Sequence, residues 1–270
     1  MGVVHTVYYT DPFCPWSWAL EPALRRLVYE LGEELQIEYV MAGMRRSLDD
    51  PGQLAVQALE AAEQSGMPAD ARGWLVDPPS SSHPACMAVL AAAEQGDPGP
   101  YLRRLREGLF CRRRKLDSAD ALAAEARETP GLGVERFRID LGSHAILEGF
   151  GGHLQRAQTA GRGQEDRTDG RIKLPSLEFR GTDGSVHGVY GYSGYEQLLE
   201  AARAAGAGVS QRAALSVEQA LARFGAMSTA EVAAVCHLPG PRAPAELWAL
   251  AAQWRVSAER AGPGALWRLT

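Results

Sequence analysis

The sequence predicts an α/β fold with a large all-helical insertion and a small C-terminal winged-helix-like domain. Three observations lead there. The first 43 residues hold a β-branched run, an amphipathic helical stretch and an alternating run; residues 54–164 hold only helical patterns; and two short β-rich runs followed by a helix return at 174–206. A βαβ half and a ββα half of this kind assemble into one mixed sheet with helices on both faces.

In chain order, "VVHTVYY" at 3–9 is β-branched and aromatic and ends at the turn-forming pair Asp11-Pro12, the pattern of a buried strand. After Pro15 the apolar positions Leu20, Leu24, Leu27, Val28 and Leu31 recur at helical spacing up to Gly32. Pro22 is expected to kink that helix, because it removes a backbone donor and crowds the preceding turn. "LQIEYVMAG" at 35–43 alternates as a second strand. Five helical patterns then follow to about Gln164, divided by Pro and Gly, and "AGRGQEDRTDGR" at 160–171 reads as a polar loop. The runs around Thr182-Asp183-Gly184 form a hairpin signal, and "SGYEQLLEAARAAG" reads as a helix capped by Ser193. Three helical runs and two short strands around Gly262-Pro263-Gly264 close the chain in winged-helix order. The expected domains are 1–50 with 170–208 for the sheet, 51–169 for the helical insertion and 209–270 for the C-terminal unit.

At 270 residues, 46% hydrophobic and 23% charged, the chain can bury a sizeable core. Its formal net charge of -5 gives no reason to expect nucleic acid or an anionic membrane as partner. Neither a leader pattern nor an apolar run of about 18 residues is visible, so a soluble cytoplasmic bacterial protein is expected. The four cysteines, Cys14, Cys86, Cys111 and Cys236, are scattered, which argues against a disulfide framework, and no C-x-x-C or C-x-x-H spacing suggests a metal.

Cys14 falls where the first strand hands over to the helix. A thiol reacts as thiolate, and a helix N-terminus favours that anion through its unpaired N–H groups and positive dipole end. Pro15 suits the first helical turn, and Trp16 either shields the thiol or offers a substrate an apolar surface.

The stretch Cys14-Pro15-Trp16-Ser17 after Asp11-Pro12, together with Leu174-Pro175-Ser176 before the third strand, resembles the active-site helix start and cis-proline loop of DsbA-like thioredoxin-fold proteins. "SSHPACMAVLAAAEQG" and "YLRRLREGLFCRRRKLD" resemble the helical domain of the cytoplasmic branch, described as dithiol–disulfide isomerases. The resemblance covers residues 3–206. It implies a thioredoxin-like fold, Cys14 as nucleophile, and a cis Leu174–Pro175 bond whose backbone pairs with bound substrate. Ser17 departs from the dithiol pattern: it cannot form a disulfide, though it can donate a hydrogen bond to a thiolate. The expected function is therefore thiol–disulfide exchange through Cys14 alone on a thiol- or disulfide-containing protein or small molecule. No cofactor would be tightly bound, and glutathione or mycothiol would resolve the intermediate. Two alternatives stay open: a non-catalytic adaptor or peptide-binding module, and an enzyme like kappa-type glutathione transferases or isomerases.

Other residues carry two readings each. Cys86, one turn into the helix begun by Ser82-His83-Pro84, is either a distant resolving thiol or a core residue. His83 is a proton shuttle or a surface residue. The segment 103–115 carries seven basic side chains against one acid and reads as a solvated, salt-bridged face or an anion site, with the Cys111 pKa lowered by its cations. Between 210 and 270 six arginines face four acids without a basic recognition helix, so packing or interaction is expected there rather than DNA binding. Trp248 and Trp254 are expected to anchor a core.

Overall fold

The computed structural model describes residues 2–161, 163, 165–166, 170–208 and 212–270. The parts of the 160–171 loop between these ranges, and the boundary at 209, lie outside the described residues. Strand β1 (Val4–Thr10) leads to helices α1 (Pro15–Ala19) and α2 (Glu21–Leu31) and then to β2 (Leu35–Met41). In place of one kinked helix there are two, with Leu20 ending the first and starting the second. Pro22 explains the break: it sits in the first turn of α2, where its missing N–H costs nothing.

Helices α3 (Pro51–Ser65), α4 (Arg72–Val76), α5 (His83–Ala93), α6 (Gly99–Phe110), α7 (Ala119–Arg127), α8 (Val134–Leu141) and α9 (His144–Thr159) follow. The short strands β3 (Glu165–Asp166) and β4 (Arg171–Ile172) pair antiparallel within the stretch read as a loop. The chain then returns to the main sheet with β5 (Ser176–Arg180), β6 (Val186–Tyr190) and helix α10 (Tyr195–Ala204). Gly194, not Ser193, caps α10, and its N–H donates to Gln197 Oε1 at 3.1 Å. Ser193 turns back to the Gly191 carbonyl instead.

Among the described residues the main sheet has the order β2-β1-β5-β6. β1 runs parallel to β2, with Val4 opposite Leu35 and Thr10 opposite Met41, and antiparallel to β5, with Tyr8 opposite Leu177. As the second of four strands β1 is covered on both faces. Tyr8 joins Leu24, Leu27, Phe179 and Leu198 in the layer under α2 and α10, while Val7 and Tyr9 pack with Val40, Ala157 and Ile172. Phe13 and Trp18 belong to a third cluster, with Trp74, Leu105 and Phe110 from the intervening helices. The junction after β1 is thus clamped between sheet and helical layer.

The last segment comprises α11 (Val217–Phe224), β7 (Met227–Ser228), α12 (Thr229–Val235), α13 (Arg242–Ala252), β8 (Val256–Ala261) and β9 (Gly264–Leu269), with sheet order β7-β9-β8. This is the winged-helix-like arrangement. Its hairpin tip lies against the helical layer: a Cβ on Gly262, whose φ is +58°, would meet the Ala69 carbonyl oxygen at 2.1 Å. Only glycine fits there. Trp248 and Trp254 do not anchor a core, since they are 56% and 86% exposed. The buried residues of α13 are Ala243 and Leu247, and Trp254 lies beyond the helix end in a left-handed turn.

Among the described residues no helix is long and apolar enough to cross a membrane.

Candidate functional site

Strand β1 ends at Thr10, and the next four residues place the site. Asp11 turns the chain by accepting the Phe13 N–H on Oδ1 at 2.8 Å. Its other oxygen, Oδ2, accepts from the Met44 N–H at 2.6 Å, the Ser82 hydroxyl at 2.9 Å and the Cys86 thiol at 3.3 Å. This fully buried carboxylate therefore ties the first junction to the segment after β2 and to the start of α5. Burial raises its pKa against the four donors, which pull the other way. Its role was not read from the sequence. An Asp-Pro pair signals a turn, but the partners lie 33 to 75 residues away.

Cys14 caps α1, and its Sγ accepts the Ser17 N–H at 3.4 Å. Pro15 occupies the first turn. Cys14 is only 2% exposed. Burial pushes its thiol above the ordinary value, and the Ser17 hydroxyl and amide, which favour the thiolate, do not offset it. The expected thiolate-stabilising pocket is thus corrected. A five-residue helix has few aligned peptide units, and its dipole is outweighed by the loss of water around the sulfur. Ser17 is buried as well and accepts the Thr10 hydroxyl at 2.9 Å; Thr10 in turn accepts Arg106 Nη2 at 2.5 Å.

An open groove of ≈ 190 Å³ lies over this junction. Cys14, Pro15 and Trp16 line it from α1, with Trp16 leaning on Tyr192 at a ring distance of 5.5 Å. Ala42, Met44 and Arg45 contribute from the segment after β2, and Gln57 from α3. Arg171, Ile172, Lys173 and Leu174 contribute from β4 and the loop beyond it. The Leu174–Pro175 peptide is cis. Pro175 itself is buried and is not among the groove-lining residues; its carbonyl accepts the Gly191 N–H at 2.8 Å just beyond β6. Arg171 donates to the Gly43 carbonyl, which ties the two sides together. Arg45, Gln57, Arg171 and Lys173 were not anticipated. They sit in unrelated stretches of sequence, and only the fold brings them to one place.

Neither accessory candidate lines this groove. Cys86 is fully buried in the helical core and donates to Asp11. Burial and that neighbouring carboxylate push its thiol well up, the opposite of what a resolving thiolate needs. His83 packs edge-on against Phe150 at 5.0 Å and lies beside Gly43, behind the groove wall rather than in its lining, and burial lowers its pKa. All four cysteines are free and buried. Burial also pushes the Cys111 thiol up, and the expected lowering by nearby cations, Arg103 and Arg112, is outweighed by it.

The arginine-rich segment is salt-bridged, but its key members are buried rather than solvated. Arg106, 1% exposed, meets Glu21 at 2.5 Å. Arg103 meets Glu107 at 2.8 Å and Glu231 of α12 at 2.7 Å, and Arg25 meets Glu231 at 2.9 Å. Burial alone would raise Glu21, yet Arg103, Arg106 and Arg25 together hold it below the usual carboxylate value.

A capping cysteine at the first strand-to-helix junction, a cis-proline ahead of an antiparallel strand and the β2-β1-β5-β6 order define a DsbA-like thioredoxin fold with inserted helices. The family model described as Thioredoxin matches residues 8–160, and the chain belongs to that family. It is similar to the ClpXP adapter protein SpxH of Halalkalibacterium halodurans, 28% identical over 96% of this chain and 87% of that protein. The ClpXP adapter protein SpxH of Bacillus subtilis is also 28% identical, over 71% of this chain and 64% of that protein. Among solved structures, a protein disulfide isomerase candidate from Nitrosomonas europaea superposes with a TM-score of 0.62 at 18% identity, covering 74% of this chain and 96% of that one. The cytosolic disulfide reductase DsbM from Pseudomonas aeruginosa gives 0.55 at 21% identity, covering 68% and 88%. At those identities the likeness to the two structures is one of fold alone. The expectation of thiol–disulfide exchange through Cys14 is overturned by the curated relatives, which are named adaptors, and the buried, up-shifted thiol agrees with that correction.

Proposed function

We propose that this chain is a non-catalytic protein-binding adaptor that brings a substrate protein to a ClpXP-type protease in the bacterial cytoplasm. One observation carries the reading: the groove of a thioredoxin fold is kept open while the cysteine at its base is buried, capped by Ser17 and shifted away from the thiolate. Such a groove retains a surface for a partner segment without the anion that exchange chemistry requires. The names of the curated relatives support the same assignment.

The test has two parts. Protein half-lives are measured by pulse–chase proteomics in the native host, with and without this chain and with and without ClpP. One or more proteins are expected to be stabilised equally by either deletion, with no further effect of both. Purified chain should then speed degradation of such a protein by purified ClpXP, and the Cys14→Ala variant should do so equally well. Unchanged half-lives, or acceleration that disappears in Cys14→Ala, would overturn the proposal.

A further inference from the structure

We propose that the free edge of β2 takes an extended segment of the partner protein as a fifth strand of the main sheet, seated between that edge and helices α5 and α9. The inference rests on the adaptor reading and gives it a second contact, since this groove shares no lining residue with the one over Cys14. Strand β2 ends the sheet order β2-β1-β5-β6, so half of its backbone groups turn away from β1. Two hydrogen bonds fix which half. The Ala42 N–H, just beyond the strand, donates to the Thr10 carbonyl of β1 at 2.8 Å, whereas the Met41 N–H points the other way, to His153 Nδ1 of α9 at 3.1 Å. With a period of two, Ile37 and Tyr39 present their N–H and C=O groups on the outer side with Met41, and among the described residues nothing pairs with them there. His153 thus closes the edge at Met41 and leaves it open at Ile37 and Tyr39.

The surroundings suit a strand in chemistry and in space. A cavity of ≈ 380 Å³ runs beside the edge, lined by Ile37, Glu38 and Tyr39 of β2 and by residues of α5 and α9, against ≈ 190 Å³ over Cys14. Unpaired amide and carbonyl groups at every second residue match an extended backbone and not a helix, which satisfies its own. Leu90 and Ala93 of α5 and Ala145 and Ile146 of α9 offer the side chains of such a segment an apolar wall. Gly149, inside α9, keeps that wall low: a Cβ there would lie 3.6 Å from Leu90 Cδ2 and meet no other neighbour within 4 Å. Glycine is among the least favourable residues for a helix interior, so the space is kept against helix propensity. Glu94, which ends α5 and lines the cavity, is exposed, and its carboxylate takes part in no hydrogen bond or ion pair among the described residues. Arg136 attracts it from farther off but is paired with Asp140 at 2.6 Å. A Lys or Arg of the segment would therefore meet Glu94, whereas Glu38 is already held by Arg156.

The experiment is selection of random linear octapeptides displayed on phage against the full-length protein, after the library has been cleared on the Gly149→Phe variant, whose ring would fill the groove. Gly149 is exposed and the change favours the helix, so this variant keeps the fold, as a thermal melt would verify. The winning peptides are titrated by fluorescence polarisation, together with copies N-methylated at one backbone nitrogen at a time. An added strand turns every second N–H toward β2, so N-methylation should weaken binding by about tenfold or more at alternate residues and far less at those between. The peptides should carry apolar residues at alternate positions and a Lys or Arg, and Glu94→Lys should weaken them while Gly149→Ala leaves them unaffected. Hydrogen exchange of the Ile37 and Tyr39 amides, read by NMR, should slow when peptide is added. No enrichment, a methylation profile without the two-residue period, or unchanged exchange at Ile37 and Tyr39 would overturn the inference. The adaptor reading would survive any of these as long as deletion of the chain still lengthens half-lives in the host. Unchanged half-lives together with strand-like peptide binding would remove the adaptor reading alone.

Discussion

Replacing Glu231 with alanine probes the contact that joins the C-terminal helices to the rest of the chain. The Glu231 side chain is fully buried, and its carboxylate meets Arg25 at 2.9 Å and Arg103 at 2.7 and 3.1 Å while accepting the Ser228 N–H at 2.6 Å. Removing one partner of a buried ion pair costs about 3–5 kcal/mol, because the other charge is left without compensation. Here the lower end applies, since Arg103 keeps Glu107 at 2.8 Å and Arg25 keeps Glu21 at 3.6 Å. Loss of the helix cap adds about 1 kcal/mol, so the expected loss is about 4 kcal/mol. At about 2–4 °C per kcal/mol for a chain of this size class, the melting temperature should fall by about 8–16 °C in differential scanning calorimetry. Limited trypsin digestion should open the bond after Arg212 or Arg223 before any other. Glu231→Gln, which keeps the acceptor for Ser228, should lose less. A fall of under 2 °C for the alanine variant would refute the view that this carboxylate holds the C-terminal segment in place.

The remaining predictions concern individual groups. Cys14 should be alkylated by iodoacetamide far more slowly in the native protein than in urea at pH 8.5, where about half of an ordinary thiol is ionised. Its rate should keep rising above that pH, and native rates matching the unfolded chain at pH 7 would contradict its upward shift. Asp11→Asn should destabilise the fold by about 1–3 kcal/mol in urea titration, because an NH₂ replaces one acceptor in a cluster of four donors. An unchanged midpoint would show that those bonds contribute little. Glu21 is held below its ordinary value in the folded state, so its stabilisation is complete above the unfolded pKa of about 4.3 and is lost as pH falls through the folded pKa. Thermal melts from pH 6 to pH 3 should therefore show a steeper acid limb in the wild type than in Glu21→Gln. Equal slopes would be inconsistent with the linkage. Trp254 holds a φ of +60°, so Trp254→Gly should stabilise by about 1 kcal/mol, read as a raised urea midpoint.

Periodicity carried the reading of the sheet and most helices because it reports local geometry. Val4–Thr10 and Leu35–Met41 show it as β-branched and alternating runs, and the hairpin at Asp183-Gly184 shows it through turn chemistry. It does not report which side of an element meets a neighbour. Trp248 and Trp254 occupy positions that a helical pattern assigns equally to core or solvent, and the structure leaves both exposed. Charge count fails in the reverse direction at Arg103 and Arg106. Seven cations within residues 103–115 look solvated until Glu21, 85 residues from Arg106, and Glu231, 128 residues from Arg103, are brought beside them. Cys14 was placed correctly at a helix start, whereas its ionisation depends on water excluded by distant packing. The groove itself needs residues 45 and 171 together, and neither stretch alone carries a recognisable pattern.

The buried polar groups form one connected path from the groove to the C-terminal segment. The Ser17 N–H donates to Cys14, Thr10 donates to Ser17, and Arg106 donates to Thr10 and pairs with Glu21. Arg103 bridges Glu21 at 3.4 Å and Glu231 at 2.7 Å. Burial raises the Cys14 thiol by more than Arg106 lowers it: the hydroxyls of Thr10 and Ser17 lie along the path between the arginine and the sulfur, and Arg106 also pairs with Glu21. The arrangement spends its positive charge on holding elements together rather than on ionising Cys14. A binding scaffold benefits from that arrangement: a buried ion-paired network, unpaired only at Arg106 Nε along this path, fixes the positions of α1, α2, α6 and α12 relative to one another, which presents the groove in one shape to a partner and lowers the ordering cost of binding.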